Sequence, residues 1–210
     1  FSNKQKMTQK AEIAVGFGIL FIGLSSMSSS IGVYQDSPVF YKAFQVLGGN
    51  PILGIFVGAV VTAIIQSSSA SVGILQTLAM RGIVNWRSAI FITLGQNIGT
   101  CITAILSSAG ANKTAKRAAV IHLSFNVLGA AIYGVIMTIF FGIFPDLAMQ
   151  HISSTQISIF HSIFNISVTI LLFPFANALV KLSGLIIREE PVEDEEEEPE
   201  EKALRHLDPR

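Results

Sequence analysis

Two clusters of neutral polar side chains are the part of this sequence that could bind a ligand. The first reads Gln-Ser-Ser-Ser over residues 66–69 and continues to Ser71, inside a stretch without charge. The second reads Gly-Gln-Asn-Ile-Gly-Thr over residues 95–100 of another apolar stretch. Polar side chains at membrane depth cost free energy unless hydrogen-bond partners or a ligand satisfy them. The clusters therefore indicate a site for a solute or an ion.

The elements that must position these clusters are long and apolar. Half of the 210 residues are hydrophobic and only 13% are charged. Four stretches contain no charged residue, namely residues 43–80, 88–112, 118–145 and 147–180. A helix needs roughly 20 apolar residues to cross the hydrocarbon core of a bilayer. The composition therefore predicts an all-α integral membrane protein.

The apolar runs divide the chain into segments. We expect residues 1–10 to be a cytoplasmic N-terminal stretch, residues 11–186 a transmembrane region, and residues 187–210 an acidic cytoplasmic linker. The expected spanning helices, about four in number, are residues 11–33, 88–108, 118–144 and 157–182. Residues 35–50 have an apolar stripe and are expected to lie along the membrane interface. The second polar cluster is expected to interrupt its helix. Because the chain begins with Phe, we also expect it to belong to a longer protein.

The charges favour a re-entrant hairpin over residues 51–80, with its turn at the first polar cluster. Cytoplasmic loops are enriched in Lys and Arg. If residues 51–80 enter and leave on one side, eight basic residues up to Arg188 fall inside and three fall outside. If they span the membrane, five fall inside and six outside. Non-helical backbone at this depth is tolerated where it lines a protected cavity, as in transporters with broken helices.

Several motifs together resemble the sodium/phosphate cotransporter family, its bacterial members in particular, which are related to the animal type II carriers. They are residues 62–71, residues 95–100, Lys116-Arg117-Ala118 and His122-Leu-Ser-Phe-Asn126; the last pattern recurs as His161-Ser-Ile-Phe-Asn165. The resemblance covers about residues 10–182. Family members carry two repeats of inverted topology, each with a re-entrant hairpin. With one Gln-Ser-Ser-Ser element, this chain resembles the second repeat, an inverted-repeat transporter half.

The resemblance implies sodium-coupled symport of inorganic phosphate across the plasma membrane, with sodium as the coupled ion and the C-terminus in the cytoplasm. It also implies partners: the lipid bilayer, an N-terminal repeat of the same protein, and a cytoplasmic domain related to PhoU beyond the acidic linker. A homo-oligomer is a further expectation. Neither an enzymatic activity nor a nucleic-acid partner is expected.

The two clusters supply the expected site residues, at the broken hairpin and at an unwound helix. Hydroxyl, amide and freed carbonyl oxygens suit sodium, and exposed N–H groups at a helix N-terminus suit phosphate. The expected phosphate ligands are Ser68, Ser69, Ser71, Gln96 and Asn97. The expected sodium ligands are Gln66, Ser67, Ser68, Asn97 and Thr100. In a neutral pocket, each bound ion would lower the cost of binding the other.

Alternative interpretations stay open at this stage. The solute could be another oxyanion, or the coupling ion a proton. A membrane sensor that signals phosphate through its cytoplasmic tail is a second class of function. His122 and His161 could be linked to protons, although structural hydrogen bonding to the broken helices is the preferred interpretation. The small polar residues could also serve only close helix packing.

Overall fold

The computed structural model describes residues 2–32, 46 and 49–188, and these residues form α-helices joined by short connections. The helices are α1 (Ser2–Gly32), α2 (Pro51–Ile65), α3 (Ser68–Met80), α4 (Trp86–Ser108), α5 (Lys113–Ile143), α6 (Pro145–Met149), α7 (Ser154–Leu172) and α8 (Ala176–Ile186). A turn of 3-10 helix, Phe173–Phe175, joins α7 to α8 at a proline.

Three helical stretches are long and apolar enough to cross a membrane: Trp86–Ser108, Lys113–Ile143 and Ser154–Ile186. The helix Pro51–Ile65 is apolar but shorter. These features confirm an all-α membrane protein. The first predicted span, residues 11–33, falls on α1. This helix begins at Ser2 and so also includes most of the expected cytoplasmic N-terminal stretch, residues 1–10. That α1 crosses the membrane stays a prediction.

Local capping determines where several of these helices begin. The side chain of Asn50 accepts hydrogen bonds from the N–H groups of Ile52 and Leu53, at 3.0 and 3.2 Å, just before Pro51 opens α2. Asn85 forms a capping box with Ser88 at the start of α4. Ser153 forms a capping box with Gln156 at the start of α7, and the side chain of Asn112 accepts from the N–H of Ala115 at the start of α5. An N-cap side chain satisfies backbone donors that the helix itself cannot pair, so each start is specified by nearby sequence.

Helices α2 and α3 run antiparallel to each other. Thr62 and Ser71 are hydrogen-bonded close to the break between the helices. Val57 and Leu78, both farther from the break, line one common cavity. The chain therefore turns back at the break and forms a helical hairpin. Re-entry of this hairpin into a membrane stays a prediction.

Helix α4 is the centre of the molecule. In the most apolar part of α4, 61% is buried inside the protein, compared with 28% for α5 and 22% for the α7–α8 stretch. It packs closely on α2 through glycines, since a Cβ at Gly58 would overlap the carbonyl oxygen of Ile92. A Cβ at Gly95 would likewise overlap that of Ile55, and one at Gly99 would lie 2.7 Å from the Cβ of Thr62. Small residues at helix crossings let two backbones approach, the main source of helix association in membranes.

Within residues 49–188, the charged residues lie at the two ends of the helix bundle. At one end, the N–H of Trp86 donates to the carbonyl of Gln150 at 3.0 Å, which joins the α3–α4 turn to the α6–α7 connection. Arg81, Arg87 and Asp146 belong to this end. At the other end, Arg117 donates to the hydroxyl of Ser183, at 3.5 Å. The nearby cations of that end are Lys113, Lys116, Lys181 and Arg188.

The structure corrects one prediction about the second cluster and moves several boundaries. Residues 95–100 do not unwind their helix, because α4 is continuous from Trp86 to Ser108. Helix α5 begins at Lys113, five residues before the expected start, because Asn112 caps it there. The last expected span is divided by the 3-10 turn at Pro174. Most of the predicted interfacial segment, and the linker from residue 189 on, lie outside the described residues.

Candidate functional site

The first polar cluster breaks the helix by a change of backbone conformation at one residue. Gln66 has φ 57° and ψ 21°, in the left-handed region, and its N–H donates to the carbonyl of Thr62 at 2.8 Å. It is the one non-glycine residue with positive φ within the described part of the chain. A side chain in this region costs about 1 kcal/mol or more relative to ordinary helix backbone. Backbone strain of this kind is typical of functional sites.

Ser67 then starts the next helix. Its backbone is extended, and its hydroxyl accepts a hydrogen bond from the N–H of Ala70 at 3.3 Å, so Ser67 is the N-cap of α3. The carbonyl end of α2 and the N–H end of α3 consequently lie side by side. A helix C-terminus carries partial negative charge and an N-terminus partial positive charge. One short break thus offers groups for both a cation and an anion.

A buried hydrogen-bond network joins the hairpin to α4. The hydroxyls of Thr62 and Ser71 are 2.7 Å apart. The side-chain amide of Gln96 donates from Nε2 to both the carbonyl and the hydroxyl oxygen of Ser71, each at 2.9 Å. The three residues are 0%, 1% and 3% exposed, respectively. The network therefore links the two polar clusters away from solvent, with Ser71 at its centre.

Gln96 has one polar atom that the network leaves unsatisfied. Its Oε1 is buried and accepts no hydrogen bond in the structure. The same side chain lines a cavity of about 90 Å³ within the hairpin, together with Gly58 and Ser71. A buried acceptor without a partner costs about 1–3 kcal/mol. This oxygen is therefore available to a cation or to a donor group.

Asn97, the next residue of α4, faces α7 instead of the hairpin. Its Nδ2 donates to the carbonyl of Thr93, at 2.9 Å. Its Oδ1 lies 3.3 Å from Nε2 of His161. Because an amide oxygen only accepts, His161 donates from Nε2 in this arrangement. His161 thus orients the amide of Asn97. Its hydrogen-bond partner lies on α4, and not on the broken helices as the sequence led us to expect.

The repeated His-x-x-Phe-Asn pattern has the same local geometry in both copies. Asn126 and Asn165 each donate from Nδ2 to the carbonyl of the histidine four residues earlier, at 3.0 and 2.8 Å. The first copy reaches α4 through Cys101, whose thiol is 3.6 Å from the carbonyl of His122. The pattern therefore braces α5 and α7 against the two sides of α4.

The structure brings only part of the expected site together. Ser71 and Gln96 meet directly, whereas Asn97 is directed toward His161. Thr100 donates to the carbonyl of Gln96 in its own helix, at 2.9 Å. At the hairpin tip, Gln66, Ser67 and Ser69 are exposed and Ser68 is half-buried.

Sequence reasoning missed Thr62, the fully buried partner of Ser71. Its signal was its position, because Thr62 is the one hydroxyl-bearing residue of α2 and lies four residues before the break at Gln66.

These features define a class of protein: an all-α membrane protein whose helical hairpin is broken in its middle, with a neutral polar site beside the break. A family model described as "Na+/Pi-cotransporter" matches residues 37–168. The chain belongs to the Na+/Pi-cotransporter family.

Individual relatives agree with this membership. The chain is 32% identical over 173 residues to YqeW of Bacillus subtilis, a protein named without an activity, covering 82% of the chain and 56% of YqeW. It is 26% identical over 200 residues to YjbB of Salmonella typhimurium, named as a candidate inorganic phosphate export protein, covering 95% of the chain and 36% of YjbB. It is 33% identical over 131 residues to sodium-dependent phosphate transport protein 2A of Rattus norvegicus, covering 59% of the chain and 21% of that protein. No solved structure matches the chain.

Proposed function

We propose that the intact protein carries inorganic phosphate across the membrane by symport with sodium ions, and that both bind at the hairpin break and the facing side chains of α4. The observation that carries this proposal is the buried Thr62–Ser71–Gln96 network beside a break where a helix C-terminus and a helix N-terminus meet. Phosphate transport is the activity that the family name and two named relatives share.

The N-terminal end of α3 is the proposed phosphate position. Its first-turn N–H groups and the hydroxyls of Ser68, Ser69 and Ser71 are the available donors. Helix N-termini bind anions through these N–H groups and the helix dipole. Gln96 and Asn97 complete the proposed set from α4.

Sodium would bind to neutral oxygens. The proposed ligands are Gln66, Ser67, Ser68 and Asn97, joined by Thr62 and by the unsatisfied Oε1 of Gln96, whereas the Thr100 hydroxyl, expected from the sequence, already bonds within α4. Helices α2 and α3 contain no charged residue, and α4 has one, Arg87, in its first turn. A phosphate dianion in this neutral environment needs a counter-charge, which bound sodium supplies. Each ion therefore raises the affinity for the other, which is the physical basis of coupled transport.

The exposed hairpin tip supports a role for a second repeat. The chain spans 56% of YqeW and 36% of YjbB, so these relatives are considerably longer. Gln66, Ser67 and Ser69 are exposed at the tip. Polar groups at this depth must be enclosed by protein or by an aqueous cavity. We propose that an inverted repeat of the same protein covers the tip and completes the site.

The proposed orientation follows from the charges. The end with Arg117 and Lys181 carries five basic residues, whereas the end with Arg81 and Arg87 carries two and Asp146. The positive-inside rule places the first end in the cytoplasm. In a plasma membrane, the C-terminus and the acidic segment that leads toward a PhoU-like domain would then be cytoplasmic.

The test is uptake of radiolabelled phosphate into proteoliposomes that contain the intact protein, with an inward gradient of sodium or of potassium. We expect uptake with sodium only. Ser71→Ala should reduce the rate at least tenfold, because it removes the hydroxyl that bonds Thr62 and accepts from Gln96. Ser107→Ala on α4, an exposed hydroxyl away from the network, is the matched control and should transport normally.

The same assay tests direction and solute. Because YjbB is named for phosphate export, vesicles loaded with labelled phosphate are assayed for efflux as well. Equal uptake with sodium and potassium would contradict sodium coupling. Stronger competition by sulfate than by unlabelled phosphate would assign the site to another oxyanion.

A further inference from the structure

A cavity lined in part by polar side chains lies between α3 and α7, outside the network around Ser71. Its volume is about 330 Å³, room for several water molecules. The residues that line it are Gly73, Gln76, Thr77, Met80, Ser154, Thr155, Ser158 and Ile159. It begins next to the end of the bundle that holds Arg81, because Met80 ends α3 and Ser154 begins α7.

The polar face of α7 leads from this cavity toward the site. Ser154, Ser158, His161 and Asn165 are spaced by four, three and four residues, so they share one face of the helix. Ser158 lines the cavity, and His161 contacts Asn97 of α4. The rise from Ser154 to His161 is about 10 Å at the pitch of an α-helix. His161, which contacts the Asn97 amide, is therefore only about one helical turn from Ser158 at the cavity, on the same face of α7.

One hydrogen bond closes the space between the two helices at the cavity. Nε2 of Gln76 donates to the hydroxyl of Ser158 at 2.7 Å, and that hydroxyl donates onward to the carbonyl of Ser154 at 3.2 Å. A neutral hydrogen bond of this kind contributes about 1 kcal/mol net. Such a contact is weak enough to break and re-form during each transport cycle.

The surface of α7 at the cavity is too polar to face the hydrocarbon of a bilayer. Ser158 and Thr155 are exposed, and transfer of a hydroxyl group from water to lipid costs free energy. Farther along α7, beyond the cavity, the exposed side chains are mostly apolar, since Ile163, Ile166 and Ile170 are exposed there. The helix thus has a polar surface next to the cavity suited to water and an apolar surface farther along suited to lipid or to another helix.

We propose that the α3–α7 cavity is a water-filled entrance through which hydrated sodium and an oxyanion reach Asn97 and Ser71, and that the Gln76–Ser158 hydrogen bond closes it. The identity of the solutes rests on the proposed function. The presence of water in the cavity is independent of it. The entrance opens at the end of the bundle that holds Arg81 and Arg87.

The first experiment measures water access without transport. In the intact protein with its native cysteines replaced, including Cys101→Ser, a cysteine is placed at Ser158 or at Ile163, on opposite sides of α7. We expect a membrane-impermeant thiosulfonate reagent to modify Ser158→Cys at least tenfold faster than Ile163→Cys. Sodium plus phosphate should slow modification of the first and leave the second unchanged.

Equal, slow modification at both positions would overturn the entrance. If phosphate uptake fails in the separate assay while Ser158→Cys still reacts fast, the entrance stands and the solute assignment falls. If uptake succeeds but Ser158→Cys is unreactive, the entrance is wrong and the proposed function stands.

The second experiment tests closure. The pair Gln76→Cys and Ser158→Cys is joined by a short bifunctional thiosulfonate reagent, and the control pair is Gln76→Cys with Ile163→Cys. We expect cross-linking of the first pair to lower uptake at least tenfold, with recovery on reduction, and the control pair to remain active. Full uptake by the cross-linked first pair would show that α3 and α7 need not separate there, which overturns the closing role.

Discussion

The two polar clusters have similar composition but opposite effects on the backbone. At residues 66–69 the helix ends, Gln66 turns into the left-handed region, and Ser67 caps a new helix. At residues 95–100 the helix continues without interruption. Amide and hydroxyl side chains are therefore not sufficient to break a helix, even when several occur in succession.

The difference lies in where the side chains find partners. In the second cluster, Asn97 and Thr100 bond to carbonyls four residues earlier in their own helix, which leaves the helix intact. In the first cluster, the side chain of Ser67 bonds forward to the N–H of Ala70, which is N-cap geometry. One cluster thus supplies free helix ends, and the other supplies side chains on a rigid helix. Gln96 and Ser71 are the residues where these two contributions meet.

Among the tests of this comparison, substitution of a glycine in the second cluster has the largest expected effect. Gly95 has no room for a Cβ, because that atom would overlap the carbonyl oxygen of Ile55. Overpacking of this kind typically costs about 1–3 kcal/mol and shifts the backbone. We expect Gly95→Ala to separate α2 from α4, to lower the thermal midpoint, and to reduce sodium-dependent phosphate uptake more than tenfold.

The matched control makes the same chemical change where space is available. A Cβ at Gly142 of α5 would meet nothing within 4 Å, so Gly142→Ala should keep its uptake and its midpoint. Thermal midpoints in detergent and uptake in proteoliposomes measure both effects. Normal behaviour of Gly95→Ala would show that the close crossing of α2 and α4 is not required.

The next test asks whether the second cluster acts through Gln96 or through all of its polar groups. Gln96→Leu removes the donor to Ser71 and leaves two buried oxygens without it, at a cost of about 1–3 kcal/mol. We expect roughly a tenfold loss of uptake or more. Thr100→Val removes a hydroxyl that bonds only within α4, and its uptake should change less than threefold. A larger loss for Thr100→Val would place Thr100 in direct contact with sodium, as the sequence predicted.

The sequence predicted the class of fold because hydrophobicity and charge act over whole segments. Charge-free stretches located α4 and α5 to within a few residues, and the helix break falls inside the expected turn. Capping residues explain the remaining shifts, because Asn112 starts α5 earlier than hydrophobicity alone indicates.

The site was harder to predict, because its contacts depend on which face of a continuous helix each residue occupies. The prediction that the polar cluster at residues 95–100 interrupts its helix was wrong, and Gly95 and Gly99 instead permit close packing on α2. The pairing of His161 with Asn97 and of Thr62 with Ser71 depends on the arrangement of three helices. Local pattern does not contain that information.

The smallest expected effect separates the backbone of the first cluster from its side chain. Glycine adopts positive φ without a Cβ penalty, so Gln66→Gly should stabilise the break by about 1 kcal/mol, a few degrees in thermal midpoint. Gln66→Ala removes the same amide but keeps the strain, and its midpoint should stay near that of the wild type.

Uptake then reports on the amide alone, since both variants lack it. Equal losses of uptake would assign the Gln66 amide to the sodium site. Full uptake in both variants would show that the break contributes to the site through its backbone groups only. If Gln66→Gly lowered the midpoint instead, the left-handed turn would owe its conformation to contacts of the glutamine side chain. The distinction between a cluster that acts through its backbone and one that acts through its side chains would then fail.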